Sequence, residues 1–143
     1  FSSKEQSMSI VSIMQAQHRH CDALLAQAEA AARRKDWVAC AEAAGAFMAD
    51  TEAHLALEEN GLFPAFEQAT GMSGGPTQMM RIEHGEVREL MAGLNEAIAA
   101  QDAADFAGCC ETLLILLQQH NMKEENILYP MCDRAVPEFA QEL

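Results

Sequence analysis

Positive charge is scarce in this chain: nine Lys and Arg stand against 22 Asp and Glu, a formal net charge of −13. A surface of that sign repels phosphate backbones and anionic lipid, so neither nucleic acid nor a membrane surface is an expected partner. Aromatic residues are few, and the β-branched types that favour strands are sparse. No apolar run approaches the roughly 18 residues that suggest a membrane-spanning helix. The opening FSSKEQSMSI lacks the charged-then-apolar layout of a secretion signal, and a chain opening on Phe1 is expected to have its true start upstream. There is no CxxC, and the cysteines (Cys21, Cys40, Cys109, Cys110, Cys132) are odd in number. Free, partly buried thiols in a reducing cytoplasm are the expected state. Cys109 and Cys110 are adjacent on a helix and point apart, which argues against a redox pair.

What is abundant is Ala, Leu, Met, Glu and Gln, all strong helix formers. The 143 residues suit one domain with a real core, expected over 1–143. Apolar positions recur at helical spacing in four segments. The first runs from about Lys4 to Arg34, with the stripe Ile10, Met14, His18, Cys21, Leu25 and Ala28. Asp36 is a suitable N-cap for the second, which runs to about Ala69 through Phe47, Thr51, His54, Glu58 and Leu62. Pro64 lies inside it and should kink it or end its regular part. The breaker TGMSGGPTQ follows, and Pro76 suits the first turn of a third helix reaching about Ala100. Its stripe is Met80, His84, Val87, Met91, Leu94 and Ile98. Asp102 marks the next turn, and a fourth helix carries Leu113, Leu117, His120, Glu124, Leu128 and Met131, with Pro130 in the role of Pro64. Short connections between long helices predict an all-α, antiparallel up-down-up-down four-helix bundle.

The chain repeats itself at a period of 66 residues. The pattern HxxxEENxL[FY]P occurs at His54–Pro64 and again at His120–Pro130, and His18 falls on His84 at the same offset. This predicts two helical hairpins about a pseudo-twofold axis. His18 and His54 are 36 residues apart with Asp36 midway, and His84 and His120 are 36 apart with Asp102 midway. Each histidine therefore lies about 27 Å from its turn, at 1.5 Å per residue. The pair His54 and His84 straddles the middle turn symmetrically too. All four histidines are predicted to share one layer.

Each of these histidines occupies a core-stripe position. Glu58 and Glu124, one turn on from His54 and His120, share the inward face. A carboxylate on a core stripe is costly unless paired or bound to a cation. The predicted metal ligands are His18, His54, Glu58, His84, His120 and Glu124. A lone core histidine is usually just hydrogen-bonded; four at one level with two glutamates are not explained that way. No cysteine lies at matching positions, which disfavours thiolate zinc or an iron–sulfur cluster. Imidazole with carboxylate suits iron, manganese or zinc, and two ions with bridging carboxylates suit iron best.

Around these ligands the expectations are plainer. His20 should face solvent. Asp22 stands one turn beyond His18, while Arg88 fills the matching place in the repeat; an Asp22–Arg88 pair, or a contact behind the ligands, is expected. Glu59 and Glu125 default to surface charge, with Glu125 a rival to Glu124 as ligand. Met14, Met80 and Met91 read as core packing. Tyr129 can reach a hydrogen bond near the site, and Trp37 packs at the first turn.

The order His, HxxxE, His, HxxxE(E) across the chain resembles the hemerythrin-like (HHE cation-binding) domain. His18 in QHRHCDALL, His54 and Glu58 in HLALEE, His84 in EHGEVREL, and His120 and Glu124 in HNMKEENILYP fall on that family's ligand positions, over roughly residues 10–135. The resemblance implies two iron ions joined by an oxo or hydroxo bridge and two bridging carboxylates. It further implies binding or sensing of a small diatomic or peroxide ligand, with nitric-oxide or peroxide reduction, iron donation to iron–sulfur clusters, or a structural or storage site as alternatives. Oxygen-carrying members have a further histidine where this chain has Met80, and an Asp where it offers Glu124 or Glu125. Both departures argue against reversible oxygen carriage, and Met80 leaves an open coordination position. No protein partner is identifiable.

Overall fold

The computed structural model describes residues 9–143; the predicted helix start at Lys4 lies outside them. Helix α1 spans Ile10–Arg33, with the Ser9 hydroxyl accepting from the Ser12 N–H as its cap. Helix α2 spans Trp37–Leu57 and passes through a π-helical turn, Glu58–Leu62, into α3, Phe63–Thr70. Helix α4 spans Pro76–Ala100. Helix α5, Ala103–Lys123, passes through a second π turn, Glu124–Leu128, into α6, Tyr129–Ala135. A 3₁₀ segment, Pro137–Glu142, ends the chain. No strand occurs among the described residues, and no helix there is long and apolar enough to cross a membrane.

The turns follow the chemistry of their residues. Asp36 and Asp102 each accept a hydrogen bond from the N–H three residues on, at 3.1 and 3.0 Å. Just before them, Lys35 and Gln101 adopt left-handed backbone, at φ 60° and 52°. Both features recur at the 66-residue period. Helix α1 packs chiefly on α2 and α4 on α5; α1 also lies along α5 and α6.

The prolines act differently from a simple kink. Pro64 has no N–H to donate, and its ring would collide with the carbonyl four residues back. The helix answers by widening: the Phe63 N–H bonds Glu58 O, and the Tyr129 N–H bonds Glu124 O, each five residues back. The regular part ends at Leu57 and Lys123, so each widened turn begins on a predicted ligand. One extra residue per turn rephases the helix beyond it, bringing Leu62 and Phe63, and likewise Leu128 and Tyr129, into the interior.

Two apolar clusters result. One, toward Asp36 and Asp102, is built on Leu25, Phe47, Val87, Leu94, Phe106 and Leu113. Trp37 meets Phe106 edge-on, as its place at the first turn predicts. The other contains Ile10, Met14, Phe63, Phe66, Met80 and Tyr129. Between the two lies a polar layer. All five cysteines are free, and Cys109 donates to the Leu90 carbonyl while Cys110 is buried.

Candidate metal centre

Six side chains fill that layer: His18, His54, Glu58, His84, His120 and Glu124, all buried, with Glu58, Glu124 and His84 wholly inaccessible. Ligand atoms of Glu58, His84, His120 and Glu124 form one group within 4.8 Å of one another, and those of His18, His54 and Glu124 form a second. Every residue predicted from spacing is present in the cluster.

Each carboxylate faces both histidine pairs. Glu58 sets one oxygen 3.5 Å from His54 Nε2 and the other 3.0 Å from His84 Nε2. Glu124 sets one oxygen 3.1 Å from His18 Nε2 and the other 3.3 Å from His120 Nε2. Glu58 Oε1, His84 Nε2, His120 Nε2 and Glu124 Oε2 are buried and have no hydrogen-bond partner among the described residues. Leaving such atoms unpaired is costly, and each has a lone pair for a cation.

The outer ring nitrogens are held from behind. His18 Nδ1 lies 2.7 Å from Glu125, His54 Nδ1 2.7 Å from Gln17, His84 Nδ1 2.6 Å from Glu59, and His120 Nδ1 2.7 Å from Glu83. An acceptor on Nδ1 fixes the proton there and turns the Nε2 lone pair inward, the tautomer a metal needs. Glu59 and Glu125 are therefore not surface charges but orienting groups, and Glu124, not Glu125, lies inside. Gln17 and Glu83, which composition and periodicity did not single out, complete the set; they also match at 66 residues.

Arg88 corrects another expectation. It binds Glu52 with two nitrogens and reaches both oxygens of Glu59, leaving Asp22 without it. Matching positions in a repeat share a face, not a contact. Lys123 ion-pairs with Glu83 in the same supporting role. His20 is exposed, as expected, and it meets Asp50.

The charges are mutually dependent. Burial opposes protonation of His120, but Glu124, Glu58 and Glu83 outweigh it and raise its pKa to about 9. Burial likewise opposes charge on His18, and Glu124, Glu125 and Glu58 override it upward. Burial would raise Glu58, but His54 and His84 hold it well below the usual carboxylate range.

Tyr129 completes the layer. Its hydroxyl lies 2.5 Å from Glu58 and 2.8 Å from Glu124, and its ring stacks on His18. Burial, then the two carboxylates, push its phenol well above the ordinary value.

A model of the hemerythrin HHE cation-binding domain matches residues 9–132. The chain belongs to that family, whose domain binds metal cations, and the buried His/Glu cluster suits that chemistry. Neither the curated proteins nor the solved structures yielded a match.

Proposed function

We propose that this protein holds two iron ions in the His/Glu layer and uses them to bind or sense a small ligand: dioxygen, nitric oxide or peroxide. One observation carries the reading. Glu58 and Glu124 each turn one oxygen toward either histidine pair, the disposition of two carboxylates shared by two ions. His18 and His54 would hold one ion, His84 and His120 the other. The donors are all imidazole and carboxylate, a set suited to iron. Bound iron would supply electron transfer and an exchangeable coordination position.

The protein's own part is preparation. Gln17, Glu59, Glu83 and Glu125 fix ring orientation, and the two apolar clusters exclude bulk water. Beside the layer a cavity lined by His18, His54, His120, Thr51 and Leu117 offers about 20 Å³ to the centre of a water-sized molecule. That is room for a diatomic, not for an organic substrate. Buried Met80 stands one turn before His84 and brings a weak, soft donor, which supports an open position there.

Anaerobically reduced, iron-loaded protein exposed to each gas or to peroxide tests this. The expected result is a stoichiometric change in near-ultraviolet and visible absorption. A spectrum indifferent to all three ligands would leave a structural or storage site, and sustained consumption of nitric oxide or peroxide would make the protein an enzyme.

A further inference from the structure

The two halves of the layer differ in one oxygen. Position 63 is Phe and its repeat mate 129 is Tyr. Both rings lie against a histidine, Phe63 on His84 and Tyr129 on His18, each with centroids 5.7 Å apart. Only Tyr129 adds a donor atom to the interior.

That atom has four neighbours: Glu58 Oε2 at 2.5 Å, Glu124 Oε1 at 2.8 Å, His18 Nε2 at 3.2 Å and His54 Nε2 at 3.4 Å. The neighbours form a chain among themselves. His18 Nε2 lies 3.2 Å from His54 Nε2 and 3.1 Å from Glu124 Oε1, and His54 Nε2 lies 3.5 Å from Glu58 Oε2. Adjacent donors around an ion with bonds of about 2.1 Å stand about 3.0 Å apart. The phenol oxygen thus meets two imidazole nitrogens and two carboxylate oxygens at distances near that spacing.

With Nδ1 of His18 and His54 donating to Glu125 and Gln17, both Nε2 atoms present lone pairs. Two imidazole nitrogens, two carboxylate oxygens and a phenol oxygen converge there. A cation satisfies all five.

We propose that Tyr129 is a metal ligand, its oxygen completing the shell of the ion held by His18 and His54. The two ions are then inequivalent, with five protein donors at one and four at the other. The exchangeable position then belongs to the ion held by His84 and His120, the one with fewer protein donors. Ligation forms the metal–oxygen bond and releases the phenolic proton to solvent, without electron transfer. The inference rests on the two-ion reading above.

Tyr129 is the sole tyrosine in the chain, so any tyrosinate signal has one source. The test is resonance Raman spectroscopy of the full chain, iron-loaded and oxidised to the ferric state, with iron per chain measured on the same sample. Expected are a visible phenolate-to-iron charge-transfer band and enhanced tyrosinate ring vibrations. Tyr129→Phe, whose ring has its counterpart in Phe63, should lose both. Two irons per chain without tyrosinate vibrations would overturn this inference alone, as would a band that survives the substitution. Fewer than two irons would overturn the two-ion reading and this inference with it. The wild-type spectrum decides even if the variant fails to fold.

Discussion

Phe63 stacks on His84 as Tyr129 stacks on His18, at the same 5.7 Å and 66 residues further along the chain. The relationship extends outward in matched pairs: Glu59 with Glu125 behind His84 and His18, Gln17 with Glu83 behind His54 and His120. The two half-sites place their supports alike, with Gln17 in one where Glu83 stands in the other, and differ inside by one hydroxyl. Each support makes a claim that can be measured.

The groups on the Nδ1 atoms should govern affinity without contributing ligands. Glu59→Ala, Glu83→Ala and Glu125→Ala are each expected to weaken iron binding by roughly 10–100-fold while leaving the maximum load unchanged. Competition against a chromophoric chelator measures this. Unchanged affinity in all three would show that the rings are held by packing alone.

Stability should fall in acid partly through Glu67. It accepts from Thr77 at 2.6 Å and ion-pairs with Arg81, tying α3 to the start of α4. The Arg81 hydrogen bond, with that of Thr77, holds its carboxyl below the usual 4.5 despite some burial. A depressed folded value means that the contribution is present above about pH 4.5 and lost as pH falls through the folded value. Glu67→Gln should cost about 1–2 kcal/mol at neutral pH. That deficit should narrow below pH 4.5, as read by urea unfolding at a series of pH values. A constant deficit would assign the effect to packing.

The turn residues Lys35 and Gln101 hold left-handed backbone, at φ 60° and 52°, that a Cβ disfavours. Lys35→Gly or Gln101→Gly is expected to be neutral or to stabilise by up to about 1 kcal/mol, despite the greater freedom of glycine in the unfolded chain. Thermal or urea unfolding of the metal-free protein checks it. A marked loss would indicate that the side chains matter to the turn.

The histidines were legible because height and face both follow from counting. Two 36-residue intervals and a stripe position place His18, His54, His84 and His120 in one layer with Glu58 and Glu124. Their supports were not, and the reason is geometric. Gln17, Glu59, Glu83 and Glu125 each sit beside a ligand in sequence, yet reach a histidine on a different helix. Spacing along one helix gives direction but not the cross-helix neighbour. The same gap misassigned Arg88 to Asp22 instead of Glu52 and Glu59. Pro64 and Pro130 signalled irregular helix; that the irregularity begins at Glu58 and Glu124 required the backbone itself. The 66-residue match of Gln17 with Glu83 and of Glu59 with Glu125 was the available clue to the supports.

Iron per chain is the most direct measure of whether this interior is a two-ion site. Protein reconstituted anaerobically with ferrous iron and freed of excess should carry two ions. His54→Ala and His84→Ala should each carry about one, and Glu58→Ala with Glu124→Ala together should carry none. A wild-type chain that takes up a single zinc and refuses iron, or a double-glutamate variant that keeps two irons, would contradict the account.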